Sequence, residues 1–113
     1  MRITKDRQHP GDLHRLKSGN ILLTYGERNK PYGVQAMLSR DEGKTWSEAD
    51  RVMLAWDGDH SDLGYPVTVS RADGRLVSIY YIVYGERDSD GSKGIAPKNA
   101  YTRVVVWDPP QNW

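Results

Sequence analysis

The chain has 113 residues, with 16 lysines and arginines against 15 aspartates and glutamates and no cysteine. That length supports one hydrophobic core, near-zero interspersed charge gives no electrostatic case for nucleic acid or an anionic membrane as partner, and the missing cysteines exclude disulfides and thiolate chemistry. The first residues have no apolar stretch behind a basic tip and no apolar run is long enough to span a bilayer, so a classical export signal is not expected and cytoplasm is the default location. No window places apolar residues at i, i+3, i+4 and i+7. Short β-branched and aromatic runs between Gly, Asp, Asn and Pro instead predict an all-β protein. In chain order, strands are predicted at 12–16, 20–25, 33–39, 51–54, 67–71, 75–84 and 100–107. Turns are predicted at Lys17-Ser18-Gly19, at 39–46 and at Ala72-Asp73-Gly74, where Asp-Gly before an apolar run is a hairpin signal.

Residues 39–46 fit S-x-D-x-G-x-x-W, with Ser39, Asp41, Gly43 and Trp46 at the fixed positions. Each residue type has its own mechanical task. Ser and Asp side chains bond the turn's own amides, Gly admits a positive φ, and Trp lays a large apolar ring back over the hairpin it closes. The chain also repeats itself. His9-Pro10, a strand, Ser18-Gly19 and the run 21–25 correspond to Tyr65-Pro66, a strand, Asp73-Gly74 and the run 76–80. A period of about 55 residues suits a four-stranded blade, giving units 1–56 and 57–113 within a single domain, 1–113. The second unit lacks the S-x-D-x-G-x-x-W turn and ends at Pro109-Pro110, so its fourth strand is expected from elsewhere. Four Trp and seven Tyr without any Phe give every large ring a polar handle, which suits half-buried sheet positions and also sugar faces.

Together, Leu22-Leu23-Thr24-Tyr25-Gly26-Glu27-Arg28, Pro31-Tyr32-Gly33-Val34, the 39–46 turn, Asp62-Leu63-Gly64-Tyr65-Pro66 and Asp73-Gly74-Arg75-Leu76-Val77-Ser78-Ile79-Tyr80-Tyr81 carry a resemblance. They are similar to the C-terminal part of sialidase (neuraminidase)-like BNR-repeat proteins, in which the turn is the Asp-box joining the third and fourth strands of a blade. The resemblance implies a β-propeller-type fold with about two four-stranded antiparallel blades per chain, against six in the family's ring. Two blades leave sheet faces and edges that a full ring covers. Blades stack head to tail, so three copies related by a closing rotation would make six, and a cyclic homotrimer is the expected partner state. A smaller sandwich or a dimer is the alternative. The family's enzymes use an arginine cluster for the sialic acid carboxylate, a Tyr with a neighbouring Glu as nucleophile, and an Asp as acid/base. No position here is assigned to the nucleophile pair or the acid/base, so the catalytic residues are left open.

Loops of an up-and-down blade alternate between its two ends. Placing the Asp-box at a 3-4 turn therefore puts the loop after residue 26, the link 57–65 and the long loop after residue 84 at the opposite end. Six residues there are candidate ligand-binding groups: Arg28, Glu27, Tyr32, Asp62, Tyr65 and Arg87. Arg28 leads, because a planar guanidinium beside a pocket holds a carboxylate bidentately; a surface ion pair with Glu27 or a nearby Asp is the competing reading. Arg87 sits in a second Tyr-Gly-Glu-Arg, farther from Gly74 than Arg28 is from Gly19. The acidic runs 57–62 and 88–91 lack the glycine and distal Glu of a calcium loop, and His9, His14 and His60 show no zinc spacing, so no metal or other cofactor is expected. The implied function is a carbohydrate- or small-carboxylate-binding module, or a structural one acting through assembly. Exo-sialidase-like glycoside hydrolysis at a site formed between subunits is the alternative.

Overall fold

The β-branched and aromatic runs form seven strands in a computed structural model of the chain, which describes residues 1–84 and 99–113. They are β1 (Gln8–Arg15), β2 (Ile21–Glu27), β3 (Tyr32–Ser39), β4 (Ser47–Gly58), β5 (Gly64–Ser70), β6 (Leu76–Tyr84) and β7 (Asn99–Trp107). Every expected strand is present, and the described residues contain no helix. β4 departs most from expectation, running 12 residues where the pattern marks only 51–54. Its first four residues, Ser47-Glu48-Ala49-Asp50, are weak strand formers. They are extended because the preceding turn delivers the chain straight onto β3, with Ser47 opposite Leu38, and three register shifts then bend the long strand along its partner.

Two antiparallel sheets result, one in the order β1-β2-β3-β4 and one in the order β5-β6-β7. The second has three strands among the described residues rather than four, and there β7 pairs with β6 alone. The internal repeat is visible in the backbone hydrogen bonds. Leu16 N–H bonds Asn20 O at 2.9 Å and Gly19 N–H bonds Leu16 O at 2.9 Å; Arg71 and Arg75 (2.8 Å) and Gly74 and Arg71 (3.1 Å) make the same two bonds in the second hairpin. Each unit also carries a register shift at the start of its first pair, between Gln8 and Gly11 and between Gly64 and Val67.

The sheets stack face to face. Leu22, Ala36 and Leu38 of the first sheet meet Leu76 of the second, together with Leu16 and Trp113. Toward the other end, Val34 and Ala55 meet Tyr80 and Ile82. At about 1.5 to 3 kcal/mol per fully buried large apolar side chain, this layer is the main source of stability. Between the two apolar groups lies a buried hydroxyl chain. Thr68 donates to Thr24 Oγ1 at 3.2 Å and is 2.8 Å from Ser78 Oγ, which also accepts Trp107 Nε1–H at 3.0 Å. The sheets approach closely where Gly26 faces Gly64: a Cβ on Gly26 would lie 2.8 Å from His9 O and 3.3 Å from Gly64 Cα. No side chain fits between backbones at that distance.

Pro109 and Pro110 end β7 as expected, but the tail then turns back through a Trp113 N–H to Pro110 O bond of 3.0 Å. Trp113 is buried in the inter-sheet core, edge-on to Trp107 with ring centroids 6.1 Å apart. The two outward faces differ. On the first sheet, Leu23, Tyr25 and Met37 are buried with Trp46 packed against them. On the second, the outward row is bare: Val67, Val69, Ile79, Val104 and Val106 are each between 41% and 55% exposed.

Candidate functional site

The 39–46 turn forms as its residue types require. Ser39 Oγ–H donates to Asp41 Oδ1 at 2.9 Å and accepts Gly43 N–H at 2.9 Å. Asp41 also accepts Thr45 N–H at 2.8 Å and Thr45 Oγ1–H at 2.6 Å. These bonds, the Thr45 hydroxyl first, hold the Asp41 carboxyl down to about pH 2. Gly43 takes φ 82°, where a side chain would be strained, and its carbonyl accepts Trp46 Nε1–H at 3.1 Å. The turn joins β3 to β4, so the β2–β3 loop and the β4–β5 link lie at the opposite end of the sheets.

At that end Arg28 follows β2, its backbone N–H bonded to Arg7 O at 2.9 Å. Its guanidinium carbon lies 5.9 Å from the centroid of the Tyr65 ring, a cation–π contact. Its Nε is buried without a hydrogen-bond partner among the described residues. Tyr65 stacks on Tyr81, with centroids 5.8 Å apart and planes 30° from parallel. The Tyr81 hydroxyl donates to Asp62 Oδ1. Burial, reinforced by the Asp62 carboxylate and opposed by Arg28, pushes the Tyr81 phenol up to about 12. Asp62 is set by its own N–H, which donates to His60 Nδ1 at 2.8 Å. Tyr65 takes φ 48°, a left-handed conformation rare for an aromatic residue, within the bulge between Gly64 and Val67 at the start of β5.

Three of the six candidates, Arg28, Asp62 and Tyr65, thus form one cluster, joined by Tyr81. Glu27 does not face it. That side chain is 6% exposed and accepts Gln8 Nε2–H at 2.6 Å, Asn29 N–H at 2.9 Å and Asn29 Nδ2–H at 2.8 Å, which makes it the buried clip that shapes the Arg28 loop. Tyr32 opens β3 opposite Gly58. Arg87 lies outside the described residues. Tyr81 was missed by sequence reasoning, although strand alternation carries the signal: of the Tyr80-Tyr81 pair, Tyr80 points into the core and Tyr81 outward.

The acidic link 57–62 does not converge on one point. Asp57 pairs with Arg103 and Tyr84 while Asp62 takes Tyr81, and no group of three or more His, Cys, Asp or Glu side chains among the described residues is placed to hold a metal. The site is therefore a cation beside stacked phenols and one carboxylate. Such a set can orient a carboxylate on Arg28 and hydroxyls on Asp62 and Tyr81.

No protein-family model matches the chain, and no curated protein does. A crystal structure of a protein of unknown function from Dyadobacter fermentans DSM 18053 is similar in fold, with a TM-score of 0.67 and 26% identity over 88% of this chain. The matched region is 24% of that protein's chain, so the present sequence spans about a quarter of its solved relative. The stacked pair of sheets thus recurs within a much longer polypeptide.

Proposed function

We propose that the chain is a segment of a sialidase-like β-propeller that binds a carbohydrate or small carboxylate at the Arg28 end. The observation that carries this reading is the Arg28 guanidinium, 5.9 Å from the Tyr65 ring centroid, with an Nε that is buried and has no hydrogen-bond partner among the described residues. A guanidinium is planar, and one positioned by an aromatic ring can turn its outer N–H groups to a carboxylate in bidentate fashion. Asp62 and the Tyr81 hydroxyl lie within the same cluster and suit the hydroxyls of a sugar acid. Anion-dependent melting is the direct test. Lactate and sialic acid should raise the melting temperature of the wild type and leave Arg28→Ala unmoved; equal shifts in both proteins would refute the assignment.

Hydrolysis is the second reading, favoured by one contact: Tyr81 donates to Asp62, and a phenol on a carboxylate is the arrangement that a base-assisted tyrosine nucleophile needs. Against it stands a phenol held near 12, which resists ionisation at neutral pH. Binding is therefore preferred. Turnover of a fluorogenic sialoside, lost in both Tyr81→Phe and Arg28→Ala, would reverse that preference.

Ring closure is proposed on separate grounds. The aliphatic face of the second sheet, its count of three strands among the described residues and the greater length of the solved relative all support further sheets packing on this one. Three copies closing head to tail are the simplest completion. Light scattering that returns a monomer across the micromolar range would remove the trimer and leave the Arg28 cluster to stand alone.

A further inference from the structure

A second cluster, distinct from the Arg28 site, spans the outermost strands of the two sheets. Arg103 on β7 reaches across to Asp57 on β4, with Nη1–H to Oδ1 at 2.7 Å and Nη2–H to Oδ2 at 3.1 Å. The Tyr84 hydroxyl donates to the same Oδ2 at 2.8 Å, and the guanidinium lies 5.5 Å from the Tyr84 ring centroid. Beside this pair is a recess of about 340 Å³ lined by Leu54, Trp56, Asp57 and Arg103. Trp56 is 61% exposed and Tyr101, packed on Tyr84 with centroids 5.8 Å apart, is 53% exposed. Tyr80 below is 2% exposed with its hydroxyl unpartnered among the described residues, and burial raises its phenol while Arg103 lowers it.

Packing does not require this arrangement. A bare tryptophan at the mouth of a recess forgoes the burial that normally recommends the residue, and the Arg–Asp pair cancels its own charge, so the recess does not select an ion. The geometry points to a binding site for a neutral pyranoside, whose ring stacks on Trp56 while two adjacent hydroxyls bridge Arg103 and Asp57. One hydroxyl accepts a remaining guanidinium N–H, and its neighbour donates to Asp57 Oδ1, which has lone-pair capacity beyond its bond to Arg103. A recess of this size is at the lower end of the range for small-molecule sites, about 300 to 1,000 Å³, which suits one sugar ring rather than a long oligosaccharide.

The inference does not depend on the Arg28 reading, and the experiment separates the two. Methyl glucoside, methyl galactoside and methyl mannoside are titrated into wild type, Trp56→Ala, Arg103→Lys and Arg28→Ala by saturation-transfer NMR, with adenosine as a flat aromatic comparator. At least one glycoside should bind the wild type with a Kd on the order of millimolar, weakened about tenfold or more in Trp56→Ala and unchanged in Arg28→Ala. Trp56 is exposed, so its replacement should keep the melting transition and separates binding from folding; Arg103→Lys should weaken binding even where it also softens the sheet contact. Four results would overturn the proposal: no saturation with any glycoside, equal binding by Trp56→Ala, loss of binding in Arg28→Ala, or adenosine binding as well as the sugars.

Discussion

Replacing Trp46 by alanine probes the contribution of the 39–46 clip, because the ring packs on one face of the first sheet and bonds its own turn. Trp46 is half-buried against Leu23, Tyr25 and Met37, and its Nε1–H reaches Gly43 O at 3.1 Å. A tryptophan buries roughly 150 to 250 Å² when fully covered, so half coverage is about 100 Å², worth roughly 2.5 kcal/mol at about 25 cal/mol per Å². Alanine keeps a small part of that, and the lost indole hydrogen bond adds about 1 kcal/mol, giving an expected destabilisation of about 2 to 3 kcal/mol. This is less than the 3 to 5 kcal/mol typical of a fully buried tryptophan, because the ring stays open on one side. Urea unfolding followed by far-UV circular dichroism should show the loss as a lower midpoint with an unchanged slope, at one fixed protein concentration so that association does not contribute. Trp46→Phe should recover most of it, since the ring surface returns and only the N–H is missing. A loss below about 1 kcal/mol for the alanine variant would mean that the ring is not a clip and that the side-chain bonds of Ser39 and Asp41 close the turn without it.

Three further outcomes follow from the same contacts. Asp41 sits near 2 in the folded protein and at the ordinary carboxylate value of 3.8 when unfolded, so its contribution is complete above about pH 4 and disappears as pH falls toward 2. Asp41→Asn should therefore be less stable at neutral pH and lose a smaller further increment in an acid titration of the midpoint. Tyr81 and Tyr25 are both raised to about 12 from 10, chiefly by burial, so the folded state keeps them protonated and stability should fall as pH rises from about 10 through 12. Absorbance at 295 nm should show three late-titrating phenols, Tyr25, Tyr80 and Tyr81, and Asp62→Asn should bring the Tyr81 phenol down only in part, since burial remains. Val104 is 55% exposed in the middle of the bare face, and Val104→Lys should weaken any self-association about tenfold or more without shifting the monomer's unfolding midpoint.

The strands were legible because each depends on a local pattern, alternation or a short aliphatic run bounded by turn residues, and the 39–46 turn because its side-chain bonds close within eight positions. Features set by the meeting of distant segments were not. The tail after Pro110 reads as a stop, yet Trp113 is core because the two sheets leave a space at that end that neither fills. Glu27 reads as a loop carboxylate beside Arg28, yet Gln8 on the neighbouring strand, paired opposite it, turns it into a buried acceptor. Ser47 to Asp50 read as loop, and they are strand because β3 supplies the ladder. In the Arg28 cluster, loop parity placed Arg28, Asp62 and Tyr65 at one end, but only the stacking of Tyr65 identified Tyr81 as the group that connects them.

The bare face and the Arg28 cluster are parts of one surface, and that links assembly to binding. Register places Val67 opposite Ile79 and Gly64 opposite Tyr81, so alternation along β6 puts Tyr81 on the same outward side as Ile79 and Val77. A sheet laid over the aliphatic row would therefore also wall in Tyr81 and Tyr65, further desolvating the guanidinium that lies over them. Removing water from a cation raises the value of a carboxylate partner. Ligand and association should then favour one another by the same factor, because a coupling free energy is reciprocal. Light scattering in the presence of sialic acid should show more oligomer than in its absence, and Val104→Lys should weaken the acid's effect on melting although residue 104 is not in the cluster. If Val104→Lys abolished association while the melting shift kept its full size, the cluster would be complete within one chain and the coupling absent.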